Sequence, residues 1–263
     1  MQPDTMLVGG SMAQQEIPDA SSGADSETTS DGQNAPTYQA VEPPSEQAVQ
    51  AAIQDNIMSG LYVKNGAAYS RYFFDQESVD TYCAAIAKAA ERLKGKAKVY
   101  SVLIPTNAAA ILSEDELAAL GGANQQQALQ YFYSKMGSDV NVVETLDVLR
   151  DHNNEYIYFR TDHHWTQLGA YYAYVQLCKA MGIEPVALEG KEKMTFQPFL
   201  GTFYNELNVP AMADNPDYVD AYIPNGTNDL TYTSHDGIEG NQGHVITDVT
   251  GWNSASLYNT FIV

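Results

Sequence analysis

Apolar positions recur at helical spacing from residue 78. Val79, Tyr82, Cys83, Ile86, Ala90 and Leu93 fall on one face, and Gly95 follows as a stop. The pattern predicts a helix over 78–94. Val99-Tyr-Ser-Val-Leu-Ile-Pro is short and continuously apolar, as a buried strand is. Helical pieces are expected at 108–112, 114–120 and 123–135, then a strand at 140–143 and a short helix at 145–150. A third strand at 156–159 and a long helix at 166–181, stopped by Gly182, complete the alternation. Strand and helix in turn favour a parallel sheet with crossover helices. Upstream, the residues from Ser45 to Ile53 read as a short helix, and Leu61 to Ser70 as two short strands turned at Asn65-Gly66. Beyond Pro185 the character changes. Residues 186–250 are rich in Pro, Asn, Asp and Gly, and read as a loop-rich insertion, irregular or β-rich. The chain stops within Tyr258-Asn-Thr-Phe-Ile-Val, which reads as an apolar strand, so the expectation is a fold cut short at its C-terminal side.

Composition narrows the partners. Residues 1–44 contain no Lys or Arg and are dominated by small and polar residues, so they are expected to form a disordered acidic linker rather than a signal peptide. Such a tether suits a protein whose anchor or export signal has been removed. The folded domain is then expected over 45–263. A formal net charge of -20 argues against nucleic acid and against an anionic membrane surface. An apolar run of about 18 residues, the length of a spanning helix, is missing from the sequence. Cys83 and Cys178 sit in helical contexts and read as small buried side chains.

The chemistry concentrates in Asp162-His163-His164-Trp165, where a strand-like run meets a helix-like one. Ligand sites of open α/β sheets gather at such junctions. Asp162 and His164 lie two residues apart and can face one side, which allows a carboxylate to orient an imidazole as a base. Trp165 would form a rigid wall, and Thr166 would cap the helix that follows. His163 would face the other way in an extended segment. The same triplet admits a zinc or manganese reading, but neither a His-x3-His pair nor a second acidic cluster completes a shell. Arg160 is placed either to grip a substrate carboxylate or to pair with a neighbouring acid. Thr106 and Asn107 end a strand, where they suit oxyanion or sugar hydrogen bonding or, equally, a helix cap. Tyr204 and Asn205 are candidates for the lining of a carbohydrate cleft. His235 and His244 flank what reads as an exposed loop.

The block Tyr-Phe-Arg-Thr-Asp-His-His-Trp-Thr-Gln-Leu-Gly-Ala resembles the DHHW protein family of bacterial cell-surface proteins. It is also similar to the Asp-x-His-Trp block of the alginate O-acetyltransferase group within the SGNH-hydrolase-like class. Leu103-Ile-Pro-Thr-Asn and Phe199-Leu-Gly-Thr-Phe-Tyr-Asn-Glu add softer similarity. The resemblance extends from about residue 55 onward. It implies an α/β fold, a flavodoxin-like three-layer α/β/α sandwich, carrying a Ser-His-Asp triad with Asp162 as acid and His164 as base. In those relatives the serine lies downstream in an Asp-Ser turn. This chain has no Asp-Ser after residue 162, and Ser234, Ser254 and Ser256 lie in other contexts. The expected chain is therefore a truncated one that does not catalyse as it stands.

The function implied is an extracytoplasmic acyltransferase or esterase acting on O-acetyl groups of a cell-surface glycan. It needs no cofactor. Its partners would be a cell-surface polysaccharide or peptidoglycan, an acyl donor of open identity and a membrane-bound acyl-transfer protein. Two other readings compete: a non-catalytic surface or glycan-binding protein that keeps the turn as architecture, and a metal-dependent phosphoesterase. The phosphoesterase would need acidic motifs on earlier strands, and no Asp-x-Asp occurs before residue 140.

Overall fold

The structure, a computed structural model, describes residues 38–261. The expected linker therefore lies outside the described residues up to position 37. Tyr38 already packs on the domain, its ring 5.3 Å from that of Tyr133 and its hydroxyl donating to Glu144 at 2.6 Å. The helix expected from Ser45 is replaced by a two-residue strand, β1 (Glu46–Gln47), and a 3-10 turn at Ala51–Asn56. A three-stranded antiparallel sheet follows, of β2 (Ile57–Met58), β3 (Leu61–Lys64) and β4 (Ala67–Ser70). Its β3–β4 turn carries Asn65 and Gly66 at positive φ, the backbone that an Asn-Gly hairpin requires.

The helix α1 (Gln76–Leu93) is N-capped by Asp75, whose carboxylate accepts from Ser78 N–H at 2.8 Å. It leads into β5 (Val99–Val102), and then α2 (Asn107–Ile111), α3 (Glu114–Leu120), β6 (Gly122–Ala123) and α4 (Gln125–Met136) lead to β7 (Val140–Val143). The strands β5 and β7 pair in parallel, Val99 opposite Val140. Helices α1 and α4 cover them, with Val79, Cys83, Tyr131, Met136 and Val140 forming one buried cluster. Among the described residues this is the one parallel pair; the remaining ladders are antiparallel. The fold is thus mixed α/β, with a parallel sheet much smaller than the alternating sequence pattern predicts.

After α5 (Leu146–Asp151), the third strand expected at 156–159 does not join β7. The segment folds back on itself instead. Phe159 N–H donates to His164 O and Thr166 N–H to Ile157 O, with a single bridge between Tyr158 and Trp165. Backbone groups that would have entered a sheet are spent closing a tight loop around the Asp-His-His-Trp motif. Helix α6 (Gln167–Met181) then begins, capped by Thr166 and ended by Gly182 at positive φ. Gly169 permits the close approach to the preceding loop, because a Cβ there would collide with Ile157 O.

Residues 186–250 contain β8 (Lys193–Phe199), α7 (Thr202–Leu207), α8 (Pro210–Ala213), β9 (Asp217–Tyr222), β10 (Asp229–Tyr232) and β11 (Asn241–His244). The pairs β8–β9 and β10–β11 are antiparallel. Phe159, Phe196, Phe199, Val219, Val249 and Leu257 form a buried cluster under β8 and β9. The terminal strand expected at Tyr258 is a 3-10 segment, Ser254–Phe261, packed against β8. Among the described residues, no helix is long and apolar enough to cross a membrane.

Candidate active site

The Asp-His-His-Trp loop is held from three directions. Arg160 O accepts from Ala68 N–H on β4 at 2.9 Å. Asp217, at the start of β9 and only 1% exposed, accepts from Thr161 N–H at 2.7 Å, Thr161 Oγ1 at 2.6 Å, Arg160 N–H at 3.0 Å and the Tyr156 hydroxyl at 2.6 Å. Thr161 Oγ1 in turn accepts from Gly201 N–H at 3.0 Å, which seats the start of α7 against the loop. Gly201 touches Asp162 so closely that a Cβ would collide with its Cβ and Oδ2. A continuous polar path thus runs from Asp217 through Thr161 and Gly201 to Asp162.

Asp162 is 3% exposed and accepts four hydrogen bonds. Its Oδ1 takes His164 N–H at 3.0 Å and His164 Nδ1 at 2.6 Å. Its Oδ2 takes Thr202 N–H at 2.7 Å and Thr202 Oγ1 at 3.0 Å. Burial alone would raise the carboxyl pKa. The hydrogen bond from the His164 ring and the backbone N–H groups of Thr202 and His164 outweigh it and hold the group well below the usual carboxylate range. Asp162 is therefore an anion at neutral pH.

An ionised carboxylate only accepts, so His164 Nδ1 carries the proton between them and Nε2 is left as the basic nitrogen. Thr202 fixes the neighbouring ring by similar logic. Its single hydroxyl proton goes to Asp162, so His163 Nδ1, 2.9 Å from Thr202 Oγ1, must be the donor in that contact. Burial, the largest influence on His163, lowers its pKa; Asp162 opposes this and His164 reinforces it. The two rings lie 3.9 Å apart, centroid to centroid. Tyr258 stacks on His164, centroids 4.8 Å apart and planes 18° from parallel. The His164 side chain keeps 42% of its surface exposed.

That surface opens on a cleft of about 610 Å³ at the C-terminal side of β5, walled by Ile104, Asn107, Tyr158, Trp165 and Phe203 as well as the two histidines. Ser70 and Thr106 also line it. The Tyr158 hydroxyl donates to Pro105 O at 2.5 Å and pins the wall.

The structure brings His163, His164, Trp165, Thr106 and Asn107 to one cleft, with Asp162 directly behind. Thr106 caps α2, accepting from Ala109 N–H at 3.4 Å, and its own N–H and hydroxyl donate to Gln125 Oε1. Asn107 is buried; its Nδ2 donates to Ala68 O at 2.8 Å and its Oδ1 accepts from Ser70 N–H at 3.2 Å. Arg160 is turned away, with Nη2 donating to Pro216 O at 2.7 Å and Nε 3.2 Å from Asp217 Oδ1. Tyr204 packs against the cluster of Leu61, Phe203 and Met212, and of the two neighbours it is Phe203 that forms the aromatic wall of the cleft. Gly201 and Thr202 fall within the Phe199-to-Glu206 block of softer similarity, which assigns them no role by itself. Asp217 and Tyr258 lie far downstream of the motif and carry no local signature. The sole hint is the alternation Asp217-Tyr-Val-Asp-Ala-Tyr, which puts Asp217 on the inward face of its strand.

Asp162, His163 and His164 are also the residues that could hold a metal ion, since one potential ligand atom from each lies within 4.8 Å of the others. The donor set fits a metal poorly. Both carboxylate oxygens and both Nδ1 atoms are already engaged in hydrogen bonds, which leaves a metal the two Nε2 atoms and no carboxylate oxygen of this triplet free of hydrogen bonds.

These observations define a mixed α/β protein whose cleft displays an imidazole oriented by a buried carboxylate. A family model described as "DHHW protein" matches residues 33–263, and the chain belongs to that family. A DHHW family protein from Eubacterium siraeum is 27% identical, with a TM-score of 0.65, over 76% of this chain and 66% of that one. The chain thus spans just under two thirds of that relative. PatB1 of Bacillus cereus is similar in fold at 19% identity and a TM-score of 0.59, over 76% of this chain and 71% of that one. The same protein with a sulfonyl adduct gives 17% identity and a TM-score of 0.58, over 76% and 70% of the two chains. No curated protein sequence matches the chain.

Proposed function

We propose that this chain carries the acid–base half of an SGNH-like acyltransferase or esterase acting on O-acetyl groups of a cell-surface glycan outside the cytoplasm. The observation that carries the reading is the 2.6 Å bond from His164 Nδ1 to a buried, four-fold hydrogen-bonded carboxylate, with the rest of the ring open to a cleft. In the reaction a serine hydroxyl attacks the ester carbonyl and its proton passes to His164 Nε2. Asp162 holds the imidazolium that results. The imidazolium returns the proton to the departing alcohol, leaving an acyl-serine. A sugar hydroxyl, or water, then repeats the sequence and takes the acyl group. No cofactor enters these steps.

Among the described residues no serine hydroxyl bonds to His164, and on this reading the attacking serine comes from outside residues 38–261. The absence of that contact also supports the second reading, a glycan-binding protein in which the motif is architectural. Sulfonyl fluorides modify activated hydroxyls, and the sulfonyl adduct of PatB1 motivates the test. Full-length protein is treated with a sulfonyl fluoride and mapped by mass spectrometry. One serine labelled in the wild type and unlabelled in the His164→Ala variant is expected. No labelling of folded protein, or labelling indifferent to His164, would favour the binding protein.

A further inference from the structure

A second cavity lies behind the cleft. Of about 250 Å³, it is bounded by α3, the Gly121-Gly122 turn and the start of α4, and shares Ser70 and Thr106 with the cleft. Glycine is required at that turn. Gly121 and Gly122 have φ of 67° and 79°, and a Cβ would press on Ala48 O at the first and Tyr72 O at the second. The two glycines thus leave bare backbone in the cavity wall.

Its lining is chemically specific. Gln125 is only 9% exposed, and its Oε1 accepts both the backbone N–H and the hydroxyl of Thr106, at 2.9 and 3.0 Å. A backbone N–H only donates, so this bond fixes which end of the amide is which, and the Nε2 group is directed away from Thr106. Among the described residues that amide donates to nothing. Two N–H donors on a nearly buried side chain at a cavity wall call for an acceptor from a ligand or from solvent. Arg150, the cation at the rim, is already spent: Nε donates to Ala109 O at 2.9 Å, Nη1 to Gln126 Oε1 at 3.2 Å, and Nη2 lies 3.2 Å from Glu114 Oε1. The rest of the lining combines the amides and hydroxyls with the Tyr72 ring and an apolar wall that includes Leu117 and Leu120, with no uncompensated positive charge, in a chain of formal net charge -20.

We propose that this cavity is a subsite for one uncharged sugar residue of a glycan, seating the polymer so that a neighbouring residue meets His164. The assignment rests on the glycan reading above and adds to it a place and a selectivity. Uronate residues are disfavoured because the cavity offers their carboxylate no free cation and the surrounding field repels it. Neutral hydroxyls can instead accept from Gln125 Nε2 and exchange hydrogen bonds with the amides around it.

The test is calorimetric titration of the full-length protein with three probes: cellotriose and triacetylchitotriose, both neutral, and trigalacturonate, which is anionic. Two variants accompany it. Gln125→Glu keeps an oxygen for Thr106 and removes the amide donors; Ala118→Trp fills the exposed mouth. At least one neutral trisaccharide is expected to bind saturably, about tenfold more weakly in each variant, while trigalacturonate binds more weakly still. Binding of neither neutral sugar, binding unchanged in both variants, or tighter binding of trigalacturonate would overturn the subsite. Should Ala118→Trp fail to fold, Gln125→Glu decides alone. Sulfonyl labelling in the same preparations separates the two claims. Labelling without saccharide binding removes the subsite and keeps the acyl-transfer reading; saccharide binding without labelling does the reverse.

Discussion

Asp162 does several jobs with one carboxylate. It fixes the His164 tautomer, accepts the Thr202 backbone and hydroxyl, and supplies the negative charge behind two adjacent imidazoles. Its pKa is depressed in the folded state, so its contribution to stability is complete above the unfolded carboxyl pKa of about 4. It is lost as pH falls below that value, toward the folded pKa. His163, lowered chiefly by burial, has the same sign: the unfolded chain takes up its proton first, so stability starts to decline below about pH 6.5. Thermal melts between pH 8 and 3, about the range that brackets both groups, should therefore show a two-part acid decline. His163→Gln should remove the earlier part, and Asp162→Asn should flatten the later one. An acid decline in His163→Gln and Asp162→Asn identical to that of the wild type would contradict the assigned charge states.

Among elements, the decisive join is between the 156–166 loop and β9. Asp217 accepts from Tyr156, Arg160 and Thr161 in a fully buried position, and Thr161 relays that anchorage to Gly201 and so to Asp162. Replacement by Ala strands several donors and leaves Arg160 without its acid. Asp217→Ala should lower stability by about 3–5 kcal/mol in denaturant melts and reduce any His164-dependent labelling in parallel. A loss under about 1 kcal/mol would mean that the join is not what holds the loop.

The same elements show how far sequence carries. Helices α1, α3 and α6 and strands β5 and β7 are legible because apolar periodicity and local caps encode them: Thr166, Gly182 and the Ser113 capping box act within one turn. The Asp162–His164 pair is legible because two residues of spacing suffice to join them. Residues 156–159 have strand character, yet their bonding partners sit a few residues ahead in the same loop, and local closure wins over sheet pairing. Asp217 and Tyr258 reach the site only through tertiary packing, so nothing adjacent to them in sequence marks them, and Thr202 is marked only by the similarity of the block that holds it. Arg160 was legible as a cation near the motif, while its orientation depended on a carboxylate 57 residues away.

At the scale of the molecule, charge governs behaviour outside the core. With 33 acidic and 13 basic residues, the chain repels itself as well as polyanions. Added salt shortens the Debye length from about 30 Å at 0.01 M to about 10 Å at 0.1 M, which should raise the melting temperature at neutral pH. A melting temperature that falls with added sodium chloride would show that specific surface pairs, such as Lys94–Asp139, outweigh the general repulsion.

The central claim is that His164, oriented by Asp162, is a working base rather than a structural ring. Turnover of p-nitrophenyl acetate by the full-length protein tests it most directly, with His164→Ala and Asp162→Asn measured beside the wild type. Turnover should vanish in the first variant and fall by roughly three to four orders of magnitude in the second, as removing the orienting carboxylate of a relay does. Absent turnover in well-folded wild-type protein, or activity that survives His164→Ala, would contradict the account and leave the motif as architecture.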